Sequence, residues 1–142
     1  MGIPVSIKSL SFAYHNAKKQ SIKDINGEIR DGEFLVIMGH GGAGKSTLCC
    51  AMNGIIPRFY HGDYSGNVFI AGKEATQYNP SDMARNVGLV LQDFEAQLFS
   101  TNVELEIAFG LENIGLPSFE INRRIDRYID FIGLHGMRKA DI

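Results

Sequence analysis

Nine residues, Gly39-His40-Gly41-Gly42-Ala43-Gly44-Lys45-Ser46-Thr47, hold the chemistry that reads most directly from this chain. A Cβ at most of these positions would hold the main chain away from an anion. The four glycines remove that obstacle and allow positive φ, so that backbone N–H groups can wrap an oligophosphate. Lys45 offers a cation able to reach the β- and γ-phosphates, Ser46 a hydroxyl able to ligate Mg²⁺, and Thr47 one more donor nearby. His40 and Ala43 fill the remaining places of a G-x-x-x-x-G-K-[ST] pattern. A glycine-rich turn would have the same composition, so the flanking elements decide.

Those flanks suit a phosphate loop. Phe34-Leu35-Val36-Ile37-Met38 reads as a strand apolar on both faces. After the loop, Leu48, Ala51, Met52 and Ile55 recur at helical spacing, and a helix starting at Lys45 aims its positive end at the anion. A second apolar run, Val87-Gly88-Leu89-Val90-Leu91, stops at Gln92-Asp93. Ligands of open α/β sheets sit beyond the carboxyl ends of strands, which is where Gln92 could contact Mg²⁺ or water. A polar residue closing a strand fits Gln92 equally well. Tyr14, about 25 residues before the loop, also has two readings: a ring stacked on a base, or a tyrosine packed at a sheet edge.

Composition narrows the class. The chain has 142 residues, enough for one domain with a core, with 44% hydrophobic and 21% charged residues. Fourteen basic against sixteen acidic residues give a net charge of -2, without the basic excess of a nucleic-acid binder. No apolar run reaches the length of a bilayer span, and Met1 to Leu10 lacks a signal-peptide layout. Cys49 and Cys50, adjacent on the helix after the loop, read as small packing residues in a reducing compartment.

The remaining elements position these residues. Val5, Ile7 and Ser9, then Leu10, Phe12 and Tyr14, alternate as a half-exposed strand, and Ser21 to Arg30 resumes with Ile22, Ile25 and Ile29. The expectation is an antiparallel sheet beside a parallel core. Asn53-Gly54 supplies a helix stop, and Pro57 to Tyr64 reads as a surface excursion. Ser65 to Lys73 reads as strand and turn, and Asn79-Pro80 as the cap and first residue of a short helix. Thr101-Asn102-Val103-Glu104 reads as a capping box opening a helix with Val103, Ile107, Ala108 and Leu111 on one face. A further helix starts at Pro117-Ser118, turns Ile121, Ile125, Tyr128, Ile129 and Ile132 inward, and stops at Gly133.

Leu10-Ser11-Phe12-Ala13-Tyr14, the phosphate loop and Val90-Leu91-Gln92-Asp93 resemble, in order and spacing, the ATPase subunits of ABC transporters. The resemblance implies an α/β fold: a P-loop NTPase core with a parallel sheet flanked by helices, an antiparallel β subdomain and the start of a helical subdomain. It assigns Tyr14 to adenine stacking, Gly39 to Thr47 to the Walker A loop and Gln92 to the Q-loop. Lys45 and Gln92 then serve catalysis, Ser46 and Gln92 the metal, and ATP with Mg²⁺ is the cofactor pair. Glu95 to Ser100 with Val103 to Gly110 resembles the energy-coupling-factor branch, importers of cobalt, nickel or vitamins. Asn53 to Pro57 and the stretch after it resemble members with two fused ATPase domains. His40, Gly41 and Phe94 depart from the family's usual residues and leave the phosphate ligands intact.

By the same resemblance, residues 1–142 correspond to the N-terminal part of one ATPase domain. The LSGGQ signature would follow Ile142, and neither the Walker B aspartate with its catalytic glutamate nor the switch histidine has a counterpart. Hydrolysis is therefore expected of the full-length protein and not of these residues alone. Strands 34–38 and 87–91, apolar on both faces, would need another copy, a local rearrangement or further residues beside them. The implied partners are a second ATPase domain, in a homo- or heterodimer or fused, and integral membrane subunits docking on the Thr101–Gly115 region, where charge reversal at Glu106 is expected to cut transport and leave ATP binding intact. No nucleic acid is implied, and the location is the cytoplasmic face of the membrane, through those partners.

Rival readings separate on motifs. A GTPase needs Asp-x-x-Gly and Asn-Lys-x-Asp after the loop; the second is missing and Asp130 to Gly133 closes a helix. A small-molecule kinase gives no reason for Gln92. A repair or chromosome ATPase of the SMC type would share Walker A and Q-loop but needs a coiled coil and a basic surface, against which the charge of -2 argues. A nucleotide-binding module without turnover is the third alternative.

Overall fold

The computed structural model describes residues 4–142, which form two compact units, the first running to Leu89 and the second spanning Val90–Ile142. The first is built on a four-stranded antiparallel sheet of order β2-β1-β3-β4, with β1 Val5–Tyr14, β2 Ile22–Ile29, β3 Gly62–Ile70 and β4 Lys73–Glu74. Helices α1 (Lys45–Met52), α2 (Ile55–Arg58) and α3 (Pro80–Asn86) complete it. Leu10, Phe12, Ile22, Ala51, Ile56, Val68 and Ile70 lie at its centre.

The parity change along β1 is a β-bulge. Register shifts with β3 between Lys8 and Ser11 and with β2 between Ile7 and Leu10 and again before Phe12; within this stretch Ser9 adopts φ 47° and donates its N–H to Asn26 Oδ1 at 2.8 Å. Before the bulge Ile7 faces the core and Lys8 is exposed; after it Leu10 and Phe12 are fully buried. The inserted residue thereby moves Tyr14 onto the face that packs toward α1. Side chains alternate with period two, so without the bulge Tyr14 would share the outer face with Lys8.

The second unit contains α4 (Val103–Asn113) and α5 (Ser118–Ile132), which bury Ala108, Leu111, Ile121, Ile125 and Ile129 against one another. Gly133, at φ 75°, ends α5 as expected, but Tyr128 and Ile132 are exposed. The cap of α4 is Asn102, whose Oδ1 accepts the Leu105 N–H at 3.0 Å, so the box anchored on Thr101 does not form. Glu104 pairs instead with Arg138, and the Val103 and Glu104 N–H groups donate to the carbonyls of Ala140 and Arg138. Asn79 caps α3 as expected, with Pro80 at its first position.

Two further expectations are corrected. The stretch from Gly62 to Tyr64 is no excursion: it begins β3 and pairs with Tyr14, Ala13 and Phe12 of β1. Phe34–Met38 and Val87–Leu91 join no ladder among the described residues. Phe34, Val36 and Met38 are 90%, 60% and 87% exposed, and Val90 82%, while Val87 and Leu89 pack against the first unit's core. A strand apolar on both faces needs neighbouring strands and cover on each face, and the described residues provide neither for Phe34–Met38.

Candidate functional site

The loop from Gly39 to Thr47 leads into α1, and its conformation rests on two glycines. Gly42 and Gly44 have φ of 76° and 92°, in the region that only glycine enters cheaply. Gly44 is also crowded: a Cβ there would lie 2.3 Å from the Ser21 carbonyl oxygen and 2.8 Å from Ile22 Cγ2. The same atom at Gly41 or Gly42 would meet nothing within 4 Å, so the loop is open where a ligand would approach.

Among the described residues no side chain caps the N-terminus of helix α1. Its cap, Gly44, offers no acceptor, and no acidic residue occupies the first turn. The contrast with α3 and α4 is direct, since each has an asparagine cap and acidic residues in its first turn. The α1 N–H groups and the positive end of its dipole are thus left for an external anion.

Lys45 folds back over the loop and donates from Nζ to the carbonyls of Gly39 at 2.8 Å and His40 at 2.9 Å. An ammonium has three N–H donors, so one remains after these two bonds. His40 lies within 2.8 Å of the Gly41 carbonyl through Nδ1, which therefore carries a proton. Ser46 is exposed on the first turn, whereas Thr47 is buried and its Oγ1 lies 3.2 Å from the Tyr14 hydroxyl. Phe12 meets Tyr14 edge-on at 4.9 Å.

A triphosphate with Mg²⁺ suits this donor set. Gly39 to Thr47 would hold phosphate oxygens through backbone N–H groups, Lys45 would balance their charge, and Ser46 would offer its hydroxyl to the metal. Gly39, His40, Gly41, Gly42, Ala43, Gly44, Lys45, Ser46, Thr47 and Tyr14 all belong to the first unit. Gln92 is exposed and belongs to the second, in a segment turned by the Leu91 N–H bonded to Gln97 Oε1 and the Ala96 N–H to Asp93 Oδ1. Among the described residues no cluster of His, Cys, Asp and Glu forms a separate metal site. Cys50 packs in the core, and burial pushes its thiol pKa up.

Sequence reasoning passed over Tyr60, whose ring centroid is 6.1 Å from that of Tyr14. The only signal was an aromatic in the stretch read as an excursion.

The profile of the family described as ABC transporter matches residues 22–142. A protein of Caldanaerobacter subterraneus subsp. tengcongensis, provisionally named an ABC transporter ATP-binding protein, is 50% identical over 134 residues, 94% of this chain and 24% of the relative. A similarly named protein of Pyrococcus abyssi is 38% identical over 135 residues, 95% of this chain and 48% of its own length. The chain thus spans between about a quarter and a half of these curated relatives. Among solved structures, cbiO1 of Clostridium perfringens, described as part of the ABC transporter complex cbiONQ, aligns with a TM-score of 0.80 at 29% identity. The alignment covers 99% of this chain and 55% of that one. An ATP-binding cassette dimer in a post-hydrolysis state with ADP and Pi aligns with a TM-score of 0.73 over 96% of this chain and 61% of that one, and at 20% identity shows the fold alone. The fold is α/β, that of P-loop NTPases.

Proposed function

Because this chain belongs to the ABC transporter family of ATP-binding domains, we propose that residues 1–142 are the N-terminal part of one such domain and that Gly39–Thr47 is its nucleotide site. Domains of this family take ATP with Mg²⁺. The observation that carries the site is the uncapped N-terminus of α1, opening from a glycine loop spanned by Lys45. Backbone N–H groups from Gly39 to Thr47 hold the phosphates, and Lys45 neutralises the charge that shifts toward the leaving oxygens. Ser46 and Gln92 would serve the metal, Gln92 would also orient water, and the Tyr14 ring would receive the adenine.

In the full-length protein this site works as an ATPase that energises import through membrane partners, paired with a second ATPase domain. Likeness to cbiO1 supports the energy-coupling-factor branch, and with it a metal ion or vitamin as cargo. The exposed Phe34–Met38 run supports a sheet completed by other parts of the protein. Attachment to the cytoplasmic face of the membrane runs through the partner subunits; among the described residues no helix is long and apolar enough to cross a membrane. Their docking region is Thr101–Gly115, where Leu105 and Phe109 are exposed and the Phe109 ring lies 5.6 Å from that of Phe99.

Glu106 is the wrong handle for that surface. Its carboxylate accepts the Phe99 and Ser100 N–H groups at 3.1 and 2.9 Å, so reversing its charge would unfasten the loop. Phe109→Asp is the cleaner substitution, expected to lower uptake in cells while leaving nucleotide affinity unchanged. Phosphate release by the full-length protein tests the enzyme reading: Lys45→Ala should abolish it, and Gln92→Ala should lower turnover while ATP still binds. Wild-type hydrolysis by Lys45→Ala would refute the assignment.

A further inference from the structure

We propose that Tyr60 is the second wall of the base subsite, meeting the edge of a planar base that stacks on Tyr14. The proposal rests on the reading of Tyr14 as the base-stacking residue, and it adds a specificity residue that the loop motif does not contain.

The backbone fixes where Tyr60 stands. Tyr14, the last residue of β1, pairs with Gly62, the first of β3, and the His15 N–H donates to the His61 carbonyl at 3.2 Å. The turn that carries Tyr60 is thereby tied to the strand end that carries Tyr14. Gly62 makes this approach possible, because a Cβ there would lie 2.0 Å from the Ala13 carbonyl oxygen and 3.0 Å from Phe12 Cε2. Any other residue would push the turn away from β1.

The ring geometry leaves Tyr14 unstacked and partly exposed. Phe12 and Tyr60 meet Tyr14 at interplanar angles of 79° and 74°, so neither lies flat upon it. The hydroxyl is held at Thr47, on the first turn of the helix that follows the phosphate loop. Tyr14 is held at its hydroxyl and against two unstacked rings, yet remains 36% exposed, and Tyr60 is 51% exposed. Two exposed rings at a steep angle form a corner, and every base has a π-face that can use one side of it. Phe12, fully buried, closes off the core side and takes no part in contact with a ligand.

The test measures Mg²⁺-ATP and Mg²⁺-tripolyphosphate binding by calorimetry in the full-length protein, for wild type, Tyr60→Ala, Tyr60→Phe and Tyr14→Ala. Tyr60→Ala should weaken ATP about five- to tenfold, the lower part of the range for loss of a base–aromatic contact. Its tripolyphosphate affinity should stay within about twofold, which also shows that the variant is folded, and Tyr60→Phe should match wild type, since the ring suffices. Unchanged ATP binding in Tyr60→Ala beside a loss in Tyr14→Ala would overturn the inference and leave the base reading of Tyr14 standing. An equal loss of both ligands in Tyr60→Ala, or a Tyr60→Phe as weak as Tyr60→Ala, would also overturn it. Equal affinity of wild type for ATP and tripolyphosphate would remove the base subsite altogether.

Discussion

Replacing glycines of the loop one at a time by alanine should give three different losses of stability. At Gly44 the new Cβ would sit 2.3 Å from the Ser21 carbonyl oxygen, about 1 Å inside ordinary contact, with φ at 92°. The left-handed backbone costs an L-residue about 1–2 kcal/mol. Moving a packed carbonyl adds about 1–3 kcal/mol. Gly44→Ala should therefore lose about 2–5 kcal/mol, a large part of a typical domain's 5–15. Gly42, at φ 76° in open space, incurs only the backbone cost of about 1–2 kcal/mol. Gly41 has neither positive φ nor a neighbour within 4 Å, so Gly41→Ala should fall within about 0.5 kcal/mol of wild type. Urea unfolding of the three variants in the full-length protein gives the ranking. If Gly44→Ala unfolds at the same urea concentration as Gly41→Ala, the close packing of the loop on the start of β2 is wrong.

Other outcomes follow from the second unit and the loop beside it. Asn102→Ala should cost about 1 kcal/mol of stability while Thr101→Ala stays near neutral, and the reverse order in urea unfolding would restore the box anchored on Thr101. Backbone N–H groups of Ser100 and Phe99 hold the Glu106 carboxyl below its ordinary value, and the Arg138 guanidinium does the same for Glu104. The folded values are depressed, so this stabilisation is complete above the ordinary glutamate value of 4.5 and fades as pH falls through the lower folded values. Glu106→Gln should flatten part of that acid dependence in a pH series of thermal melts. Arg138→Ala should speed hydrogen exchange at the Val103 and Glu104 amides, whose acceptors lie at Ala140 and Arg138.

Local signals carried the readings that held. The helix starting at Lys45, the Asn79 cap and the Gly133 stop depend on residues within one turn of the positions they specify. The strand Val5–Tyr14 was legible from its alternation, but the bulge within it and its effect on Tyr14 needed the neighbouring strands. What could not be read was set by distant partners. Thr101 loses the cap because the tail at Arg138 and Ala140 supplies carbonyls to the first turn of α4 and draws Glu104 away. Gly62 to Tyr64 becomes a strand because β1 offers it an edge, whatever its own propensity. The apolar run Phe34–Met38 failed in the opposite direction: its pattern predicts burial that the described residues do not supply.

Calorimetric titration of the full-length protein with Mg²⁺-ATP, wild type against Lys45→Ala, tests the central claim most directly. Lys45 is the loop's main positive charge and donates to two of its carbonyls, so the account predicts measurable binding by wild type and none by the variant. Equal affinities for the two proteins would contradict it.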